Sequence, residues 1–414
     1  MKVPTTVLPM KGMRKIFIAV LAAGAANLPA SALGYGTREL PVPQTASREM
    51  QAVIAAGLLP YWNTHPRTVQ EWKSWVDQLA QDTVQTLPAL QKALDVSVEP
   101  LQMAGVPVFI VTPRSVAPQN RHRLLIHFHG GGYVLNPGKA GTAEAIMMAG
   151  YGKIRVVSVD YRMPPDFPYP AAIDDALTVY REIIQKRSPD TIGVFGTSTG
   201  GAMTLALMLR AKDEKLPLPG AIAVGTPWTD LTKTGDSYFT NDGVDNVLVR
   251  YEGWLGDAAK LYAGEHDPKH PYLSPVYGDV HGLPPTLLVS GTRDLFLSNT
   301  VRMHWRLRDA DVPADLLVFE GLSHAQYLMS VGAPETRQYF DALSRFFDIR
   351  LAGPAASGGR VGMEDGMVHW RSVLTGTDQR QEADQFKEKY DDNQGRGQIP
   401  LVIDDSSLAN QASI

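Results

Sequence analysis

Two short motifs in the chain have the residue types for acyl transfer. Residues 129–133 read His-Gly-Gly-Gly-Tyr, and residues 196–200 read Gly-Thr-Ser-Thr-Gly. A glycine run at the end of a strand can direct bare backbone N–H groups at an oxyanion, and a serine between glycines can hold its Oγ exposed on a strained strand-to-helix turn. Together the motifs predict acyl transfer with Ser198 as the nucleophile.

The residues around both motifs predict the elements that such motifs need. Residues 123–128 and 191–195 are short apolar runs of the kind that form buried strands, and residues 201–209 favour a helix. A Gly-x-Ser-x-Gly pentapeptide can also occur by chance, and a glycine run can be a flexible linker. Because each motif directly follows a predicted strand, the catalytic interpretation is favoured for both.

The acid of a catalytic triad is expected after a later strand, because α/β-hydrolases place the oxyanion loop, nucleophile, acid and base in that chain order. Residues 285–291 are the best strand candidate, and Asp294 follows them. Asp230 is a rival, but it follows the first strand after the serine, which is early for the acid. Asp311 and Asp315 are interpreted as solvated residues around a turn. Asp294 is therefore the predicted acid.

One of the ten histidines is in the position expected for the base. His324 lies in a loop just after residues 315–320, which have the pattern of another strand. A loop at the end of a strand can bring an imidazole over the sheet edge toward the serine. His304 lies inside a helical stretch and is interpreted as a packing or surface residue, and His369 belongs to a polar C-terminal segment.

These residues predict a reaction without a metal or an organic cofactor. His324 would take the serine proton as Oγ attacks a carbonyl, and would later give it to the leaving alcohol. Asp294 would fix the imidazole tautomer and stabilise the imidazolium. Backbone N–H groups of the glycine run and of Thr199 would bind the oxyanion. Water would then hydrolyse the acyl-enzyme.

The chain resembles the hormone-sensitive lipase family of esterases, particularly its bacterial members, over about residues 45–350. The similarity is carried by the two motifs, by the Asp294 and His324 loops, and by residues 160–166, 167–172 and 226–231. It implies an α/β-hydrolase fold with a mostly parallel central sheet flanked by helices and an N-terminal helical cap.

The same resemblance implies roles for individual residues. Gly131, Gly132 and Thr199 would donate the oxyanion hydrogen bonds, and Tyr133 and Trp228 are candidate substrate-binding residues. In two places the chain departs from the family pattern. Many members have an acidic residue before the nucleophile, where this chain has Thr197. Many also have a glutamate in the segment after Asp-Tyr-Arg, where this chain has Asp166.

The segment before the glycine run is expected to form the cap. Apolar residues recur at helical spacing between Val69 and Leu94, which predicts helical packing. The resemblance implies that such N-terminal helices cover the active site. We therefore expect a cap over residues 33–100, with residues 233–265 as a possible further contribution.

The catalytic domain is predicted over residues 101–351. It would open with strands over residues 101–111, joined by a turn at Ala104 and Gly105. Residues 352–414 have little sustained periodicity and a long polar run, so a disordered or loosely attached tail is predicted. What this tail does cannot be read from its pattern.

The N-terminus predicts export. Arg14 and Lys15 precede an apolar run over residues 16–26, and small residues follow up to Ala32, as in a signal peptide. We expect a signal peptide over residues 1–32, cleavage after Ala32, and a periplasmic or secreted enzyme with no membrane span after processing. Met13 is an alternative start. The competing interpretation is a mobile leader or a cap helix.

Composition excludes several function classes. The formal net charge of the 414-residue chain is −4, which gives no general attraction to nucleic acid. The chain has no cysteine, so disulfides, thiolate catalysis and cysteine-type metal sites are excluded. The expected partner is a small-molecule ester, and the sequence makes no prediction of oligomeric state.

Three functions are compatible with these residues. The first is hydrolysis of carboxylic esters with short to medium acyl chains. The second keeps the triad but takes a lactone or an amide, because a cyclic ester requires the same attack. The third is a non-catalytic binding protein on the same scaffold, as in the plant gibberellin receptors, which resemble this family but lack the triad histidine. His324 argues against the third.

Overall fold

The computed structural model describes residues 40–352, which form one eight-stranded sheet flanked by helices. The strands are β1 Val96–Met103, β2 Val106–Pro113, β3 Leu124–Phe128, β4 Val156–Val159, β5 Ile192–Thr197, β6 Ala221–Gly225, β7 Thr286–Gly291 and β8 Ala314–Phe319. Their order across the sheet is β1-β2-β4-β3-β5-β6-β7-β8. β1 with β2 and β2 with β4 pair antiparallel, and the other neighbouring strands pair parallel. The predicted mostly parallel sheet is therefore confirmed.

Nine α-helices lie within residues 40–352. They are α1 Arg48–Ile54, α2 Val69–Leu94, α3 Ala143–Gly152, α4 Ala171–Ile184, α5 Thr199–Asp213, α6 Ser237–Thr240, α7 Trp254–Ala263, α8 Leu297–Asp309 and α9 Pro334–Arg350. None of the helices in this part of the chain is long and apolar enough to cross a membrane. The predicted signal peptide, His369 and nearly all of the predicted tail lie outside the described residues.

The central strands are buried along their whole length. β3, β5, β6 and β7 have no exposed residue, as expected for parallel strands covered by helices on both faces. β8 lies at the edge of the sheet, and its Leu317 and Val318 are exposed. Because β5 to β8 run parallel, the loops that follow them meet at one edge of the sheet, where α/β proteins bind ligands.

The longest helix, α2, contains the apolar stripe read from the sequence. It begins at a capping box, in which Thr68 accepts from the backbone of Glu71 and Glu71 accepts from the backbone of Thr68. It continues through Pro88 and ends at Asp95, which has a left-handed conformation with a φ of 56°. The chain then turns directly into β1.

The sheet begins earlier than the sequence predicted. β1 starts at Val96, so residues 96–100 of the predicted cap belong to the sheet. The predicted turn lies between β1 and β2, where Ala104 and Gly105 have φ values of 50° and 84°. The strand start was missed because Ser97, Glu99 and Pro100 do not look like strand residues. They can occupy β1 because this strand lies at the other edge of the sheet.

Candidate active site

Ser198 lies on a strained turn between β5 and α5. Its φ is 63°, a left-handed value that is uncommon for a residue with a side chain. Its N–H donates to the carbonyl of Gly225 at 2.8 Å, and its own carbonyl accepts from Ala202 and Trp228. Backbone bonds on both sides therefore hold the strained conformation, as required at a nucleophile elbow. The side chain is 8% exposed.

The glycines that flank the serine are required by space. A β-carbon on Gly196 or on Gly200 would overlap the carbonyl oxygen of Phe128 at the end of β3. Gly130 is restricted in the same way, because a β-carbon there would lie 2.8 Å from the carbonyl oxygen of Thr197. The glycine run and the serine turn therefore pack backbone against backbone.

The glycine run has a backbone conformation that few residues other than glycine can adopt. Gly131 and Gly132 have φ values of 125° and 65°, which L side chains rarely adopt. The carbonyl of Gly131 accepts from Val134 and Leu135, and within residues 40–352 the N–H groups of the two glycines have no acceptor. Thr199 is the first residue of α5, where backbone N–H groups point out of the helix. These three positions offer free donors beside Ser198.

Asp294 and His324 are in contact. The imidazole Nδ1 of His324 lies 3.0 Å from Oδ1 of Asp294, and both side chains are buried. Oδ1 also accepts from the backbone N–H of Phe296 at 2.9 Å, and Oδ2 accepts from the hydroxyl of Ser290 at 2.6 Å. The carboxylate is thus fixed on both oxygens, and it can hold the imidazole with Nδ1 as donor and Nε2 free to accept a proton.

A continuous set of contacts joins the serine turn to the histidine loop. The N–H of Trp228 donates to the carbonyl of Ser198. The indole of Trp228 stacks on Phe296 at a centroid distance of 5.1 Å, and Phe296 meets the ring of His324 edge-on at 4.9 Å. The predicted nucleophile and the predicted base therefore border the same buried aromatic cluster.

The two predicted substrate-binding residues are buried. Trp228 has no exposed surface, and its indole N–H donates to the hydroxyl of Tyr238 at 3.0 Å. Tyr133 is 1% exposed and stacks on Tyr262 at 3.7 Å. Both side chains pack against other aromatic rings in this structure, and their predicted role in substrate binding stays a prediction.

The alternative acid and base have other partners. Asp230 accepts from Arg302 and from the hydroxyl of Tyr277, both at 2.8 Å. His304 lies on α8 and its Nε2 is 3.2 Å from the carbonyl of Ala314. The geometry therefore favours Asp294 and His324, as the chain order predicted.

Thr197, the departure from the family pattern, contacts a carboxylate from another element. Its hydroxyl donates to Oε1 of Glu144 at 2.7 Å, and the hydroxyl of Tyr339 donates to the same oxygen at 3.2 Å. Oε2 of Glu144 lies 3.2 Å from Nε2 of His127, which is on β3. A buried carboxylate thus lies under the serine turn, although residue 197 itself is neutral.

His129, the first residue of the glycine run, is buried and stacks on Tyr161 at 4.3 Å. The hydroxyl of Tyr161 donates to the carbonyl of His129 at 2.6 Å. Burial lowers the pKa of His129 to about 4. The imidazole is therefore neutral at the pH values at which most esterases work, and it supports the loop as an uncharged ring.

Four aromatic residues form a cluster over the glycine run, and we call this cluster the aromatic roof. Its members are Tyr61 in the segment before α2, Trp72 and Trp75 on α2, and Trp254 at the start of α7. Trp75 meets Trp254 at a centroid distance of 5.8 Å, and a β-carbon on Gly132 would lie 2.6 Å from the Trp254 ring. The roof therefore touches the oxyanion loop directly.

An open cavity of about 350 Å³ borders the roof at Trp75. Trp75 forms part of its wall, together with Thr64, His65, Pro66, Arg67 and Glu71. Trp75 and Trp254 thus connect this cavity to Gly132 through their ring contact.

Sequence reasoning missed three residues around the site, namely Glu144, Asp245 and Ser290. Two of them carry a signal, since Glu144 is the one charged residue of the apolar helix α3 and Ser290 is a polar residue in a buried strand. Asp245 follows no motif, and only the folded chain brings it to the site. Trp254 lies within residues 233–265, the segment expected to contribute to the cap.

Comparisons with known proteins agree with this geometry. A family model described as alpha/beta hydrolase fold matches residues 125–328. An esterase from Acinetobacter venetianus is 30% identical over 254 residues, which are 61% of this chain and 82% of that protein. An acetyl-hydrolase from Streptomyces hygroscopicus is 28% identical, over 54% of this chain and 75% of the relative.

Solved structures give the same result. The crystal structure of esterase E25 is 45% identical with a TM-score of 0.74, and the match covers 77% of this chain and 98% of that one. A structure of an esterase from the bacterial hormone-sensitive lipase family is 27% identical with a TM-score of 0.64, over 75% of this chain and 100% of that one.

Proposed function

Because the chain belongs to the bacterial hormone-sensitive lipase-like α/β-hydrolases and is a carboxylic ester hydrolase, we propose that Ser198 is its nucleophile, His324 its base and Asp294 its acid. The observation that carries this proposal is the contact of Asp294 with His324 at the sheet edge where Ser198 has a positive φ. A general base must be held in one tautomer, and a nucleophilic serine must stand clear of its strand.

The proposed reaction has two halves. Oγ of Ser198 attacks the ester carbonyl while Nε2 of His324 takes its proton. The tetrahedral oxyanion is bound by N–H groups of Gly131, Gly132 and Thr199, until the C–O bond breaks and His324 protonates the leaving alcohol. Water then attacks the acyl-enzyme, His324 takes the water proton, and the acid leaves as Oγ is reprotonated. Asp294 orients the imidazole and stabilises the imidazolium.

We propose acyl chains of short to medium length. Support comes from the roof, because the Trp254 ring packs against Gly132 and so limits the space beside the oxyanion donors. The name of the Streptomyces relative, an acetyl-hydrolase, points in the same direction. Small lactones undergo the same attack, and they are therefore part of the test below.

The experiment is a substrate panel with a matched pair of serine variants. Purified enzyme is assayed on p-nitrophenyl esters of increasing acyl length and on small lactones, beside Ser198→Ala and the exposed control Ser188→Ala. Ser198→Ala should lower kcat by about 10⁴ to 10⁶-fold, and Ser188→Ala should leave it unchanged. Equal turnover by Ser198→Ala would refute the mechanism. A lactone preference, or a preference for long acyl chains, would refute the substrate class.

The pH profile gives a second test of the base. Protonated imidazole cannot accept the serine proton, so we expect activity to fall as the pH is lowered. A profile that stays flat down to about pH 4 would contradict the role of His324.

Export is also a proposal. Arg14 and Lys15, the apolar residues 16–26 and the small residues before Ala32 support a signal peptide over residues 1–32. The N-terminal sequence of protein recovered from the periplasm or medium should begin after Ala32. Mature protein beginning before residue 20 would contradict the proposal.

A further inference from the structure

A third buried carboxylate lies next to Asp294 and His324, and the proposed mechanism does not use it. Asp245 lies in the loop between α6 and α7 and has no exposed surface. Its Oδ1 accepts from the backbone N–H groups of Val247 and Leu248 at 2.8 and 3.0 Å. This oxygen therefore shapes the loop to which Asp245 itself belongs.

The other oxygen of Asp245 joins the acid loop to the base loop. Oδ2 accepts from the backbone N–H of Leu295 at 2.8 Å and from the backbone N–H of His324 at 3.2 Å. Leu295 directly follows Asp294. A single oxygen atom thus holds the backbone next to the acid and the backbone of the base itself, which come from the loops after β7 and β8.

Two further hydrogen bonds join the same loop to the acid loop and to the base loop. The carboxamide of Asn241 donates to the carbonyl of Asp294 at 2.9 Å. The backbone N–H of Asn246 donates to the hydroxyl of Ser323, the residue before His324, at 3.3 Å. Residues 241–246 therefore fasten the acid loop and the base loop at several points, with Asp245 in contact with both.

We propose that Asp245 is a positioning residue that keeps His324 and Asp294 in register for proton transfer. The inference rests on the proposed function, since it presumes that His324 is the base. Its effect is expected in kcat rather than KM, because a small displacement of the base alters proton transfer without removing a substrate contact.

The charge of Asp245 adds an effect that a purely structural role lacks. Burial, and then the charge of Asp294, raise the pKa of Asp245 to about 6, while His324 acts in the opposite direction. Above that pH the group is an anion beside His324, and it favours the protonated form of the base. Asp294 and His324 are the charged groups that act on Asp245 in this site.

The test compares Asp245→Asn with Asp236→Asn, which removes an exposed carboxylate from the same segment. We expect Asp245→Asn to lower kcat by about 10- to 100-fold with KM within about twofold of the wild type. The acid limb of the kcat/KM profile should move to lower pH by about half a unit to one unit, because a negative charge beside the base is lost. Asp236→Asn should change neither.

Asp245→Glu tests the position of the oxygens separately from the charge, and it is the deciding variant if Asp245→Asn does not fold. It keeps the anion but displaces it by one methylene group, so kcat should fall by about tenfold while the acid limb stays at the wild-type pH. Wild-type kcat in either variant would overturn the proposal. A loss of kcat in Asp245→Asn with a lowered Tm and an unmoved acid limb would also overturn it, in favour of a structural role. If Ser198→Ala is inactive in the same assays, such a result leaves the proposed mechanism intact.

Discussion

The serine turn and the aromatic roof meet at Gly132, but they are built in opposite ways. At the turn, backbone packs on backbone, and glycines at positions 196 and 200 leave no space for a β-carbon. The roof consists of large side chains from segments far apart in the sequence, joined by ring contacts between 5.7 and 5.9 Å. The comparison indicates that the serine turn is determined by local backbone geometry, whereas the roof depends on side chains that only the fold brings together.

After the loss of Ser198 itself, the largest effect should come from the acid that orients the base. Asp294→Asn keeps the size of the side chain but favours the wrong imidazole tautomer, so kcat should fall by about 10⁴-fold. Asp230→Asn is the control, because Asp230 is equally buried but pairs with Arg302. We expect the control to lower the Tm and to change kcat only slightly. Both variants are compared by steady-state kinetics and thermal melts. If Asp230→Asn were as inactive as Asp294→Asn, the assignment of Asp294 as the acid would be contradicted.

The next largest effect should appear where the two regions touch. Gly132→Ala puts a β-carbon on a residue with a φ of 65° and against the ring of Trp254, so we expect a loss of about 10² to 10³-fold in kcat. Gly282→Ala has similar backbone strain, with a φ of 74°, but has open space around it and should keep its activity. Trp254→Leu added to Gly132→Ala should restore part of the rate if the clash with the roof matters. No restoration would mean that strain in the loop accounts for the whole loss.

A smaller effect concerns stability beside the turn. The pKa of His129 is lowered to about 4 in the folded chain, whereas an unfolded chain binds the proton near about pH 6.5. Between these pH values the unfolded state therefore binds more protons than the folded state. The contribution of His129 to the free energy of unfolding is present in full above about pH 6.5 and is lost as the pH falls. We expect His129 to account for about 2 kcal/mol of the fall in the free energy of unfolding between pH 7.5 and pH 5. Denaturant melts of wild type and His129→Asn at both pH values measure it, and equal pH dependence in the two proteins would contradict it.

The smallest effect on rate should come from the roof itself. Trp254→Leu opens space from Gly132 toward Trp75, so the ratio of kcat/KM for hexanoate over acetate esters should rise by about tenfold, with little change for acetate. The exposed Trp305 on α8 provides the matched control, and Trp305→Leu should leave the ratio unchanged. An unchanged ratio in Trp254→Leu would separate the roof from substrate selection.

Most of the fold could be predicted from the sequence, and so could the residues of the candidate triad. The strands before the glycine run and before Ser198 are short apolar runs, and chain order separated Asp294 from Asp230. Backbone requirements of this kind can be recognised in the local sequence, since a buried parallel strand is apolar throughout and a crowded turn needs glycine.

The residues that contact the candidate triad and the serine turn from distant segments could not be predicted. Asp245 and Glu144 act through hydrogen bonds to segments far away in the chain, with no fixed spacing to the motifs they support. The contacts of Trp228 could not be predicted either, because its indole donates to the hydroxyl of Tyr238 and stacks on Phe296, which lie in other segments. The strand start at Val96 was missed for a related reason, since an edge strand tolerates polar residues and proline.

The most direct test of the account is detection of the acyl-enzyme. Wild-type enzyme is mixed rapidly with p-nitrophenyl acetate and quenched, p-nitrophenol release is followed in time, and the modified residue is found by peptide mass mapping. The account predicts an initial burst followed by slower turnover, with the acyl group on Ser198. An acyl group on another residue, or wild-type turnover by Ser198→Ala, would contradict it.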